Sequence, residues 1–168
     1  MKNKKLISKE LEDFYNKASE ETRLEKGMGI FEFERIKDLI AQHISISNTT
    51  IIDIGGGTGK YSEWLAKKGH TVHLIEPVLK HIKLAEKRAK KLQNPFTVAI
   101  GEAKNLPYKD NTADLVIFPE GQTYIQTYIQ TYVNLLNYRV GCRHTDKSRS
   151  SRYRDIGNLA IAIAISGK

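Results

Sequence analysis

The segment IIDIGGGTGKYSEWLAKKGH, residues 51–70, constrains the fold of this chain more than any other stretch. Its first residues are apolar and β-branched, three consecutive glycines follow, and apolar residues then recur at helical spacing. Glycine tolerates the left-handed backbone that a tight connection between a strand and a helix requires. The segment therefore predicts a buried strand, a glycine turn and an amphipathic helix that ends at Gly69.

The same alternation continues along the chain. Residues 9–43 predict one or two helices with a break at KGMG, and Phe31, Ile36, Leu39 and Ile40 are predicted to lie on one apolar face there. The Lys-rich residues 80–92 predict another helix. Three further strands are predicted, at HTVHLIEP, FTVAIG and ADLVIF. Strand and helix thus alternate in the order typical of an α/β fold, and we predict a Rossmann-like parallel sheet with helices on both faces. Such sheets bind ligands at the carboxyl ends of their strands.

Charge and cysteine content limit the classes of partner. The net charge is +8, but residues 1–118 hold 20 basic and 16 acidic side chains, so their surface is mixed in sign. The lysines of residues 80–92 fill the solvent face of a helix, which disfavours a nucleic-acid partner there, and contact with nucleic acid stays an alternative. With Cys142 as the only cysteine, no internal disulfide forms, and we expect a cytoplasmic protein without a signal peptide or membrane span.

Metal binding is not predicted. His70 and His73 lie three residues apart and therefore on opposite faces of a strand, which suits structural histidines better than ligands of one metal. Cys142 and His144 have a spacing found in metal sites, but there is no second pair to complete four ligands.

Three ligands are possible for the glycine turn. A phosphate-binding P-loop is excluded, because Ile54 stands where its first glycine is required and Tyr61 where its Ser or Thr is required. A dinucleotide turn needs a third small residue at the position of Lys60, whereas the spacing here is G-x-G-x-G and ends at Gly59. The acid that ends the second strand, Glu76, suits the ribose of any nucleoside.

A third interpretation comes from four motifs in order. IIDIGGGTG, HLIEP, GEA and NLPYKDNTADLVIF together resemble the class I S-adenosylmethionine-dependent methyltransferases, in particular their small bacterial methyltransferase-domain members. The resemblance covers about residues 10–118. It implies one domain over residues 1–168, with a helical cap at 1–45, a cofactor-binding half at 46–118 and a divergent segment at 119–168.

The resemblance implies roles for the first strand and the turn. Asp53 corresponds to the acid that helps to hold the methionine end of S-adenosylmethionine. Gly55, Gly56 and Gly57 correspond to the glycines whose backbone lies against the cofactor, where a Cβ would intrude.

It also implies roles at the next two strands. Glu76 corresponds to the acid that accepts hydrogen bonds from both ribose hydroxyls, and Pro77 to the residue beside the adenine. Glu102 and Ala103 correspond to the position that reads the amino edge of the adenine. Tyr15 and Arg23 are either surface residues or part of the cap that this family closes over its cofactor.

The resemblance predicts transfer of a methyl group from S-adenosylmethionine, and the chain identifies no catalytic base and no acceptor. A small-molecule acceptor is favoured, because the surface charge is mixed and no base-stacking constellation is evident. The alternatives are a catalytically inactive cofactor-binding or interaction module, and a basic RNA-associated protein that uses its C-terminal segment.

The C-terminal segment departs from the family. TYIQTYIQTY, residues 123–132, fits a helix slightly better than a strand, and RHTDKSRSSRYRD, residues 143–155, predicts a loop. Only NLAIAIAISG, residues 158–167, predicts a closing strand, and the Pro-Gly-Gly turn of the family is missing. We therefore expect a divergent, truncated or frame-altered end, with an exposed sheet edge that invites self-association.

Overall fold

A computed structural model of the chain describes residues 7–17, 20–44, 48–103, 106–108, 112–121, 154–156 and 159–165. The predicted helix at 123–132 lies outside the described residues, as do Cys142, His144 and most of the predicted loop at 143–155.

The N-terminal cap consists of helices α1 (Lys9–Lys17), α2 (Glu20–Arg23) and α3 (Met28–Ala41). The break predicted at KGMG is confirmed, because α3 begins directly after Gly27, whose φ is +53°. The cap contains three helices where one or two were predicted. Across the described helices, none combines the length and the apolar character needed to cross a membrane.

The central part alternates between strands and helices as far as β3, as predicted, and β4 then follows β3 with no helix between them in the described residues. Its elements are β1 (Thr50–Ile54), α4 (Lys60–Lys67), β2 (Thr71–Glu76), α5 (Leu79–Ala89), β3 (Thr97–Ile100) and β4 (Leu115–Gly121). Helix α4 ends as expected at a left-handed Gly69, whose φ is +89°.

The strands form one sheet in the order β3-β2-β1-β4-β6-β5, where β5 is Arg154–Ile156 and β6 is Leu159–Ile165. The first four strands are parallel, which confirms the Rossmann-like fold. Strand β1 lies at the centre of this half of the sheet, with Asp53 aligned with Leu74 on β2 and with Ile117 on β4. The carboxyl ends of β1 and β2 therefore meet where the glycine turn begins.

The C-terminal end of the sheet agrees with the prediction in one respect and differs from it in another. Strand β4 continues to Gly121, and β6 pairs with it in antiparallel register over its whole length, so the predicted closing strand is confirmed. A second strand, β5, pairs with β6 in a stretch that was partly assigned to the basic loop. A three-residue strand carries too little periodicity to be found from sequence. Because β6 covers the edge of β4, an exposed β4 edge no longer supports the predicted self-association, which stays a prediction.

The core is divided between the two faces of the sheet. On one face, α3, α4 and α5 pack on β1, β2 and β4 through residues such as Ile40, Leu65 and Ala85. On the other face, Ile52, Ile75 and Val116 are covered by loop residues, including the partly buried Leu106 and Tyr108.

The predicted apolar face of α3 is wrong at one residue. Ile36, Leu39 and Ile40 are buried as expected, but Phe31 is 69% exposed. Phe33 packs against Tyr61 in its place, with ring centroids 5.1 Å apart.

Candidate functional site

The glycine turn joins β1 to α4 through a backbone that only glycine adopts readily. Gly55, Gly57 and Gly59 have φ angles of +70°, +57° and +80°. The N–H of Gly55 donates to the carbonyl of Ile75 over 2.8 Å, which fastens the start of the turn to β2. A Cβ at Gly55 or Gly57 would have no other atom within 4 Å, so this side of the turn is open. A ligand can therefore approach the backbone there.

Gly56 is required for a different reason. A Cβ at this position would lie 2.5 Å from Oδ2 of Asp53, closer than atoms of that kind can approach. The glycine thus lets the turn lie directly over the carboxyl group that ends β1.

Asp53 is fully buried beneath this turn. Its Oδ2 accepts a hydrogen bond from the Ser62 hydroxyl on α4 over 2.6 Å. Its Oδ1 has no hydrogen-bond partner among the residues that the structure describes. Burial raises the pKa of Asp53 to about 7, and the nearby Glu76 carboxylate adds to this, while hydrogen bonds from Ser62 oppose it. The turn therefore lies over a buried carboxyl group that has one oxygen unpaired among the described residues.

Glu76, at the end of β2, is tied to the glycine turn. Its side chain accepts a hydrogen bond from the N–H of Gly57 at Oε2 and another from the N–H of Val78 at Oε1, each over 3.0 Å. The residue is only 3% exposed, and both donors are backbone N–H groups that fix the position of its carboxyl oxygens. Glu76 is thus fixed beside the turn, as a ribose-binding acid would have to be.

A histidine and the cap complete this side of the site. His81, in the first turn of α5, lies with Nδ1 3.3 Å from Oε1 of Glu76. The Tyr15 ring of α1 contacts the imidazole edge-on, with centroids 5.3 Å apart, and the Tyr15 carbonyl accepts from Lys80 over 3.5 Å. Tyr15 is therefore part of the covered site rather than a free surface residue, whereas Arg23 pairs with Glu32 inside the cap.

The rear of the turn rests on α5. A Cβ at Gly59 would lie 2.8 Å from the Phe96 ring and 3.3 Å from Cβ of Ala85 on α5, so this glycine provides the close packing that a dinucleotide turn assigns to its third small residue. Arg88 donates through Nε to the Thr58 carbonyl over 3.1 Å and through a terminal nitrogen to Glu63 over 2.6 Å. The turn is thus held from β2, from α4 and from α5.

The remaining predicted residues lie at the ends of β2 and β3. Pro77 is half-buried directly after Glu76, and Glu102 and Ala103 are half-buried after β3. The N–H of Gly101 donates to the backbone carbonyl of Glu76 over 3.2 Å, which brings the GEA segment to the end of β2. All eight predicted binding residues thus follow or end β1, β2 and β3 at the carboxyl edge of the sheet.

Both histidines near β2 are engaged in the fold. The Nδ1 atom of His70 accepts from the N–H of Thr49 over 3.3 Å, and burial lowers the pKa of this histidine. His73 contacts the Thr97 hydroxyl over 2.7 Å. Within the described ranges, no group of three potential metal ligands occurs.

The sequence interpretation missed four residues that support the site: Gly59, Ser62, His81 and Arg88. Gly59 was noted only as the end of the G-x-G-x-G spacing. The other three sit on helices among similar polar residues, and their partners are 5 to 30 positions away in the chain. Of these, only His81 carried a visible signal, since it occupies a buried position of an amphipathic helix.

Comparisons with known proteins agree with this geometry. The family model described as a methyltransferase domain matches residues 52–134. In fold, the chain is similar to magnesium protoporphyrin IX methyltransferase from Synechocystis PCC 6803 with bound S-adenosylmethionine, at 12% identity and a TM-score of 0.62, covering 94% of this chain and 95% of that one. It is also similar to the PH0226 protein from Pyrococcus horikoshii OT3, at 12% identity and a TM-score of 0.60, covering 92% and 99%. No curated protein matches the sequence significantly.

The matched residues begin on β1 and include the glycine turn, Glu76 and the GEA segment. Together with the Rossmann-like sheet, this match supports a methyltransferase of class I with S-adenosylmethionine as its cofactor.

Proposed function

We propose that this methyltransferase transfers the methyl group of S-adenosylmethionine to a small-molecule acceptor and holds the cofactor between the glycine turn and Glu76. The observation that carries the proposal is the hydrogen bond from the N–H of Gly57 to Oε2 of Glu76. It joins the backbone that would face the methionine and ribose to the acid that would accept the ribose hydroxyls.

Two further observations fit the cofactor. The turn is open where a Cβ on Gly55 or Gly57 would stand, so the backbone can lie against a ligand. Beneath the turn, Oδ1 of Asp53 lacks a partner within the described part of the chain. S-adenosylmethionine carries an ammonium and a sulfonium group, and a carboxylate close to them lowers their electrostatic energy. The proposed contacts are thus complementary to the cofactor in shape and in charge.

The chemistry requires positioning more than acid or base groups. A nucleophilic atom of the acceptor forms a bond to the methyl carbon while the bond from that carbon to sulfur breaks, and the electron pair stays on sulfur as S-adenosylhomocysteine leaves. Alignment of donor and acceptor supplies much of the rate enhancement in such a reaction. A base is needed only where the acceptor must lose a proton.

The charge distribution supports a small acceptor. Helix α5 packs its residues Ile82, Ala85 and Ala89 on the sheet, so its lysines occupy the solvent face. That arrangement accounts for the basic run without a nucleic-acid partner.

A catalytically inactive cofactor-binding module is the second candidate. In the methyltransferases that the sequence resembles, the acceptor pocket draws on the segment after the fourth strand. Those methyltransferases have a further strand, introduced by a Pro-Gly-Gly turn, before the antiparallel pair that finishes the sheet. Here the antiparallel β6 pairs directly with β4 in the described part of the sheet. Cofactor binding rests on β1 to β3 and is independent of this departure.

Transfer of radiolabelled methyl groups from S-adenosylmethionine to a panel of small molecules tests the proposal. An active enzyme labels at least one acceptor, whereas an inactive module binds the cofactor and labels none. The control without added acceptor measures automethylation. A variant with Glu76→Gln, assayed at saturating cofactor and below saturation, separates weaker cofactor binding from a lost reaction.

A further inference from the structure

The buried face of α5 contains one residue that does not fit its apolar pattern. His81 is 3% exposed and lies on the same face as Ile82, Ala85 and Ala89. Burying a polar ring costs free energy unless it forms a hydrogen bond. Within the described residues the ring forms one hydrogen bond, from Nδ1 to Glu76, while Nε2 is buried without a partner, so the contact with Glu76 accounts for a histidine at this position.

The contact also determines which oxygen of Glu76 keeps a free acceptor position for a ligand. A carboxylate only accepts hydrogen bonds, so Nδ1 of His81 carries the proton and donates to Oε1. The N–H of Val78 donates to the same oxygen. Since each carboxylate oxygen has about two acceptor positions, Oε1 is saturated, while Oε2 accepts only from Gly57 among the described groups.

The imidazole is in turn held from the cap. The Tyr15 ring lies edge-on to it, and Lys80, the residue before His81, donates to the Tyr15 carbonyl. The ring of His81 thus lies between Tyr15 on α1 and Glu76 on β2. Its rotation is restricted on both sides.

We propose that His81 is a positioning residue for the ribose: it binds Oε1 of Glu76 and so directs Oε2 toward the ribose hydroxyls of the cofactor. The inference rests on the proposed function, because it assumes that Glu76 binds those hydroxyls. Without the imidazole N–H, Oε1 regains an acceptor position, and only the N–H groups of Gly57 and Val78 then orient the carboxylate. A ligand that lacks the hydroxyls does not depend on this orientation.

The test compares two ligands on matched variants. Calorimetry gives the affinity for S-adenosylhomocysteine and for its 2′,3′-dideoxyribose analogue. His81→Leu removes the N–H at similar size, and His81→Asn keeps a donor close to the position of Nδ1. His73→Leu is the control, because His73 lies on the same strand as Glu76 but on its opposite face.

We expect His81→Leu to weaken S-adenosylhomocysteine about tenfold and the dideoxy analogue less than about twofold, as for a lost hydrogen bond to a charged group. His81→Asn should retain affinity to within about threefold, and His73→Leu should affect both ligands alike. Equal weakening of both ligands by His81→Leu, or unchanged affinity, overturns the inference.

Failure of the inference and failure of the proposed function give different results. If the wild-type protein binds neither ligand, both are overturned. If Glu76→Gln weakens the binding of S-adenosylhomocysteine and His81→Leu does not, only the role of His81 is overturned.

A long-range ¹H–¹⁵N spectrum of the wild-type protein tests the contact between His81 and Glu76 without any variant. Protonated Nδ1 supports it, and a proton on Nε2 with a bare Nδ1 contradicts it.

Discussion

Ser62 donates its hydroxyl hydrogen to Oδ2 of Asp53 over 2.6 Å, and this contact joins α4 to β1 directly beneath the glycine turn. Both residues are completely buried. The strand, the turn and the helix are therefore held as one unit by a polar contact inside an apolar core.

Ser62→Ala should lower the free energy of unfolding by about 1–3 kcal/mol, because the variant leaves a buried carboxyl oxygen without its donor. Urea unfolding measures this loss. Thr71→Ala removes an exposed hydroxyl and should cost less than about 1 kcal/mol. Equal losses in the two variants would contradict the structural importance of the Ser62 contact.

The raised pKa of Asp53 predicts a pH dependence of stability. Burial moves this pKa from 3.8 to about 7, so between these values the folded state keeps a proton that the unfolded state has released. The contribution of Asp53 to stability is therefore full at low pH and is lost as the pH rises toward 7. Asn carries no such proton, so Asp53→Asn should gain about 1–3 kcal/mol relative to wild type between about pH 5 and pH 8.

Urea unfolding of both proteins at several pH values checks this prediction. A constant difference between wild type and Asp53→Asn across the range would show that Asp53 keeps an ordinary pKa in the folded state. The same result would remove one argument for a ligand-responsive carboxyl group beneath the turn.

Gly56→Ala should destabilise the protein by about 2–4 kcal/mol and weaken cofactor binding, because its Cβ would displace the Asp53 carboxyl group or the turn. Gly27→Ala is the control for backbone strain without a clash, since Gly27 has a φ of +53° and a Cβ there meets no atom within 4 Å. The control should cost about 1–3 kcal/mol of backbone strain and leave cofactor affinity unchanged. Calorimetry distinguishes the two, and an unchanged cofactor affinity in Gly56→Ala would contradict the close approach to Asp53.

Substitutions of Arg88 and Lys67 can be compared directly, because both side chains form an ion pair with Glu63. Only Arg88 also donates to the Thr58 carbonyl in the turn. Arg88→Ala should therefore weaken S-adenosylhomocysteine about threefold to tenfold, whereas Lys67→Ala should leave the affinity unchanged and cost under about 0.5 kcal/mol of stability. Equal affinities of the two variants would show that Arg88 supports the surface and not the turn.

The sequence predicted those parts of the fold and site whose signals are local. The strand, glycine turn and helix at residues 51–70 follow each other directly, and Glu76 ends the next strand. Ser62 and Arg88 were not predicted, because nothing near them in sequence identifies their partners, Asp53 and Thr58. Such pairs depend on how the helices dock on the sheet.

Two errors of the prediction from sequence, at Phe31 and at strand β5, have the same physical origin. Phe31 and Phe33 are both aromatic, and the sequence alone does not determine which of them the docked α3 turns toward Tyr61. Strand β5 exists through its pairing with β6 and shows no periodicity of its own. Tertiary contacts select these features, so local patterns do not contain them.

We propose that the glycine turn and Glu76 form the site for S-adenosylmethionine. Calorimetric titration of the full chain with S-adenosylmethionine and S-adenosylhomocysteine, repeated on the Glu76→Gln variant, tests this assignment. We expect the wild-type protein to bind both ligands and the variant to bind them about tenfold to a hundredfold more weakly, since it loses a charged acceptor. A folded wild-type protein that binds neither ligand, or a variant that binds them equally well, would contradict it.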